Sequence, residues 1–77
     1  MRLKEFKLHQ KGVITKVNAQ GTHERRLFEM GFLPGTLVEL KYIAPLGSPI
    51  AVKVRGYEIV LNNSDIDALE VQLKDEK

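Results

Sequence analysis

The spacing of apolar positions along this chain changes repeatedly, and each change marks an element. Leu3 and Phe6 are separated as on one helical turn. His9-Gln10-Lys11-Gly12 breaks that spacing and leads into Val13-Ile14-Thr15-Lys16-Val17, whose β-branched content favours a strand. Asn18-Ala19-Gln20-Gly21 closes it. Thr22 can then cap a helix by accepting a backbone N–H, although Arg25 stands where a capping box would place a glutamate. The helix is expected over residues 23–30, with Leu27, Phe28 and Met30 as its buried stripe and Arg25, Arg26 and Glu29 nearer solvent. Just past it, Gly31 can take positive φ without a Cβ penalty, and Phe32 can fold back on Leu27 in a Schellman ending. Pro34 prevents continuation.

The second half alternates with period two. Val38, Leu40 and Tyr42 alternate with Glu39 and Lys41, so 37–43 is expected to be a strand. Pro45 and Pro49 bracket Leu46-Gly47-Ser48 in a loop of restricted φ. Ile50, Val52 and Val54 form one face of the next strand, and Gly56 marks a tight hairpin into Tyr57, Ile59 and Leu61. Ser64-Asp65-Ile66-Asp67 has the form of a capped single turn with Ile66 as a plug. Leu69, Val71 and Leu73 make a last strand, and the tail over 74–77 is expected to fray. Five short strands with one helix after the first predict a mainly β fold, a small and partly open antiparallel barrel.

Composition narrows the options. Seventy-seven residues leave room for a single domain, 1–77, with a thin core. No apolar run approaches the roughly 20 residues of a spanning helix. The N-terminal Met1-Arg2-Leu3-Lys4-Glu5-Phe6-Lys7 lacks the apolar stretch of a signal peptide, so a cytoplasmic location is expected. The absence of cysteine excludes disulfides, thiolate nucleophiles and cysteine-based zinc sites. Residues 1–42 hold eight Lys/Arg against four Asp/Glu, and residues 43–77 four against six. The basic half could meet an acidic partner, or it is a solvated face.

No catalytic constellation accompanies this frame, and no enzymatic activity or cofactor is expected. Ser48 and Ser64 lack a nucleophile elbow, and the dispersed glycines form neither a phosphate loop nor a dinucleotide fingerprint. His9 and His23 lie on different segments without a partner at helical chelate spacing, so no metal ligands are assigned. Tyr42 and Tyr57 alone make a thin stacking surface, and nucleic acid is not expected as a partner. A protein-binding surface remains. The proline-bracketed loop would hold Leu46 exposed on a rigid support, which lowers the ordering cost of binding. Arg25 and Arg26 offer planar donors for carboxylates. The alternative is that Leu46 folds back to cap the barrel end and the arginines are merely solvated.

Arg26-Leu27-Phe28-Glu29-Met30-Gly31-Phe32-Leu33-Pro34-Gly35-Thr36, then Ala44-Pro45-Leu46-Gly47-Ser48-Pro49-Ile50, then Val54-Arg55-Gly56-Tyr57-Glu58-Ile59 together resemble the FeoA family of small proteins of bacterial ferrous iron transport. The similarity runs from Leu3 to Leu73. It implies an SH3-like β-barrel with an inserted helix, and a cytoplasmic accessory of the FeoB permease, reaching the inner face of the membrane through that partner. The same barrel occurs in iron-dependent repressors, where a DNA-binding helical domain precedes it; this sequence includes none, which favours the transport accessory. One departure is Asn62-Asn63, where the family often has a basic residue. The expected contacts with the permease are Arg25, Arg26, Pro45, Leu46 and Pro49. Alternatives are activation of GTP hydrolysis by the permease's G domain through Arg25 or Arg26, and direct binding of ferrous iron. Small barrels with exposed loops can also form homo-oligomers.

Overall fold

The computed structural model describes residues 2–74. A 3₁₀ turn, Leu3–Glu5, precedes β1 (Lys11–Val17), α1 (Gly21–Glu29), β2 (Leu37–Ile43), β3 (Ile50–Val54), β4 (Tyr57–Leu61), α2 (Asn63–Ala68) and β5 (Leu69–Leu73). The strands form one sheet in the order β4-β3-β2-β1-β5, and every neighbouring pair is antiparallel. This is the partly open barrel that the alternation predicts. The tail beyond Lys74 lies outside the described residues.

Register explains which side chains meet. Val38 faces Gly12 on one side and Val54 on the other, Leu40 faces Val52, and Ile14 faces Val71. Apart from Gly12, which has no side chain to contribute, these residues are at most 2% exposed and line the inner wall of the core with Leu3, Phe6 and Leu27. Irregularities between Ile14 and Lys16 and between Leu40 and Tyr42 interrupt the ladders, as bulges do where a small sheet must bend. Gly12 serves a close approach: a Cβ there would sit 2.5 Å from the Phe6 ring. The glycine is thus the recess that seats the N-terminal turn.

The Schellman ending forms as expected. Gly31 has φ +105, its N–H donates to the Phe28 carbonyl, and the Phe32 N–H donates to the Leu27 carbonyl at 3.0 Å. Leu27 and Phe32 are fully buried. Two expectations for α1 need correction. The helix begins at Gly21 after an extended Gln20, so Thr22 is already helical and does not cap. Phe28 and Met30 are half-buried, because a nine-residue helix docking through Leu27 keeps only that side chain fully inside.

The region after β4 is also more regular than the expected single turn. Asn62, rather than Ser64, is the cap: its side chain accepts from the Asp65 N–H at 3.0 Å, while Asp65 Oδ2 accepts from the Asn62 N–H. This reciprocal capping box starts a six-residue helix. Ile66 is 1% exposed, the plug that the sequence predicts.

Candidate functional site

The loop between β2 and β3 is closed at its neck. Ala44 N–H donates to the Pro49 carbonyl at 3.1 Å, and Gly47 N–H donates to the Ala44 carbonyl at 2.8 Å. Pro45 and Pro49 limit the rest of the backbone. Leu46 is carried at the tip and is 97% exposed. It does not fold back to cap the barrel. Beside it opens a cleft of about 320 Å³ walled by Leu46, Ile43, Leu40 and Ile50, with Leu3 and Ile66 as further apolar lining and Lys4 and Asn63 as polar lining. A leucine held in water next to a cleft of mixed polar and apolar lining is a surface with both a projecting and a receiving part. Burial of such a side chain contributes about 2 kcal/mol.

The two arginines meet different fates. Arg26 Nη2 donates to Asp65 Oδ1 at 3.0 Å, and His23 Nε2 lies 2.8 Å from the same oxygen. The Asp65 side chain is 5% exposed, while those of Arg26 and His23 are 58% and 31% exposed. One carboxylate therefore ties α1 to α2 and, through its other oxygen, caps α2. Arg25 is exposed on α1 and lines a shallow depression with Phe28, Glu29 and Leu33. A second depression around the junction is lined by Thr22, His23, Arg26 and Ser64.

The five predicted contact residues fall into two groups. Pro45, Leu46 and Pro49 share the loop; Arg25 and Arg26 share α1; the cleft beside Leu46 and the depression beside Arg25 have no lining residue in common. The link between them is α2, which offers Asp65 to Arg26 and Ile66 to the cleft. Sequence reasoning missed Asp65 and the lining residues Lys4, Ile43 and Asn63. Asn62 and Asp65 do stand at capping-box spacing, the one local signal available; the contacts of Asp65 with Arg26 and His23 span 39 and 42 residues and leave none.

Among the described residues, no three His, Cys, Asp or Glu side chains cluster in a way that could hold a metal ion. No described helix is long and apolar enough to cross a membrane.

Comparison with known proteins gives this frame a family. The FeoA domain model matches residues 1–73. A Porphyromonas gingivalis protein named as a fusion of Fe(2+) transport protein A and the Fe(2+) transporter FeoB is 33% identical over 73 residues, which are 95% of this chain and 9% of that protein's length. Iron(II) transport protein A from Clostridium thermocellum superposes with a TM-score of 0.90 at 32% identity, covering 95% of this chain and 45% of the other. Stenotrophomonas maltophilia FeoA in complex with zinc superposes with a TM-score of 0.78 at 30% identity, covering 94% and 89%. That protein is described as a prokaryotic SH3-domain protein and a candidate activating factor of ferrous iron transport. The SH3-like barrel inferred from the sequence is the fold observed. With its five antiparallel strands, its inserted helix and a family match over nearly all its length, the chain belongs to the FeoA family.

Proposed function

We propose that this chain is a non-enzymatic cytoplasmic accessory of ferrous iron uptake that docks on a FeoB-type permease and supports its assembly or activity. The observation that carries the reading is the fusion relative, in which a matching domain and a transporter share one polypeptide. Joining two partners covalently raises their effective concentration without any new contact, an arrangement suited to domains that work together.

The loop is the best-equipped part of the molecule for this. Leu46 enters an apolar pocket of the partner, Pro45 and Pro49 reduce the entropy the loop loses on docking, and the adjoining cleft of mixed lining accepts a partner side chain in return. Arg25 contributes a peripheral contact to a carboxylate, and Arg26 does so from its pair with Asp65.

The test is recovery of solubilised membrane proteins by the tagged native chain and by Leu46→Asp, with ferrous iron uptake followed in cells. Selective recovery of the permease by the native chain alone is expected, together with reduced uptake in the mutant. Equal recovery by both would remove the loop from the interface, and no recovery by either would overturn the permease reading.

A further inference from the structure

The two edges of the sheet are treated differently. At the β5 edge Arg2 forms an antiparallel bridge with Glu70, and the N-terminal turn lies against the strand. At the other end of the order, β4 has no strand beyond it among the described residues. Its outward residues stay in water: Glu58 is exposed and Val60 is 68% exposed.

The turn before β4 determines which backbone groups that edge offers. Arg55 and Gly56 have φ of +53 and +87, the two-residue primed turn, and Val54 faces Tyr57 across it. In such a hairpin the flanking pair is hydrogen-bonded and the pattern alternates from there. Tyr57, Ile59 and Leu61 therefore bond to β3. Glu58 and Val60 direct their N–H and C=O groups away from it, towards the open edge.

The side chains on the outer face continue two rows to that edge. One row reads Lys11, Glu39, Lys53, Glu58 across β1, β2, β3 and β4, with the sign of charge alternating at each step. The other reads Tyr42, Ala51, Val60 and is apolar throughout. Glu58 makes no ion pair with a described residue. Both rows stop at β4 with their pattern unfinished: the next position of one calls for a cation and that of the other for an apolar side chain.

We propose that the free edge of β4 is a strand-addition site for an extended segment of a partner protein, running antiparallel to β4 and setting a lysine or arginine opposite Glu58 and an apolar residue opposite Val60. Read from its N-terminus, such a segment has an apolar residue, any residue, then a cation. Main-chain bonds to Glu58 and Val60 supply the attachment, and the two rows supply the selectivity. A second copy of this chain fits less well: centring β4 on its own Ile59 sets Glu58 opposite Val60, centring on Glu58 sets like charges together, and centring on Val60 matches the apolar row but leaves Glu58 opposite the uncharged Asn62. The site needs neither Leu46 nor the permease, so it stands or falls separately from the proposed function.

The experiment is an amide NMR titration of the ¹⁵N-labelled full chain with two synthetic peptides. One repeats Thr-Val-Thr-Lys, and the other replaces each lysine by glutamate. The lysine peptide is expected to shift the Glu58 and Val60 amides in a saturable way, with cross-strand contacts to β4. The glutamate peptide is expected to bind about fivefold more weakly, and Glu58→Lys to reverse that order. Val60→Pro removes an N–H that the barrel itself does not use. It should abolish binding while leaving the β1, β2 and β5 resonances in place. Equal shifts with both peptides, shifts confined to the cleft around Leu46, or no shift with either would overturn the proposal. So would protection of Glu58 and Val60 by concentration-dependent self-association without peptide, which would make a second copy the occupant.

Discussion

Helix α2 serves two regions built on opposite lines. At the His23–Arg26–Asp65 junction, one nearly buried carboxylate has two cationic or imidazole partners and a backbone donor, so every polar group it brings inside is matched. At the Pro45–Pro49 loop the chain does the reverse and leaves Leu46 almost wholly in water while closing the loop's neck with hydrogen bonds. The first arrangement stabilises the fold by itself. The second gains nothing from the fold and is useful only when another surface arrives. Two short segments of similar size can thus be separated by asking where their unsatisfied surface is.

Substitutions that should affect only one region break or sharpen this contrast. The largest expected effect is Leu27→Ala, which removes the single fully buried side chain of α1 and with it the attachment that positions Arg26. A loss of about 2–5 kcal/mol in unfolding free energy is expected, read by denaturant titration. An intermediate effect is expected for Asp65→Asn, which retains the cap's shape but removes the charge. The partners are partly exposed, so the loss should be about 1–2 kcal/mol. Double-mutant analysis with Arg26→Ala should show the two changes to be non-additive. The smallest effect on folding is expected for Leu46→Asp, within about 0.5 kcal/mol of the native chain, although it should have the largest effect on recovery of the partner. A large destabilisation by Leu46→Asp would erase the contrast, since it would show the loop to be part of the core.

The sequence revealed what is local and hid what is not. The Schellman ending was legible because Gly31, Phe32 and Pro34 carry its geometry within one turn. The alternation in β2 to β4 was legible where one face of the strands is buried and inward residues must be apolar, but not past the irregularity after Leu40: there Tyr42, expected on the face of Val38 and Leu40, pairs with Ala51 and is 53% exposed. The start of α1 was not: Thr22 is the better capping residue by type, yet Gln20 holds the position without a side-chain bond. Asp65 shows the stronger limit. Its neighbours suggested an N-terminal turn, whereas its pairing with His23 and Arg26 is created only when the two helices are brought together. The loop with Leu46 was readable as a proline-bracketed loop, its leucine either exposed or folded back, and the cleft beside it was not readable, since its walls come from the N-terminal turn, β2, β3 and α2.

The antiparallel bridge between Arg2 and Glu70 has a practical consequence for building with this domain. It sets the first described residue alongside the last strand, and Lys74 continues that strand by donating to the Lys11 carbonyl. Both ends of the barrel's chain therefore leave from the β5 side, so that a short linker could join them and new termini could be opened elsewhere. Opened between Pro45 and Pro49, the permuted chain would keep every strand pairing while cutting the one loop that carries Leu46. Opened at Asn18-Ala19, it would keep that loop whole. The pair of permutants would separate the contribution of the intact loop from that of the barrel without changing a single side chain.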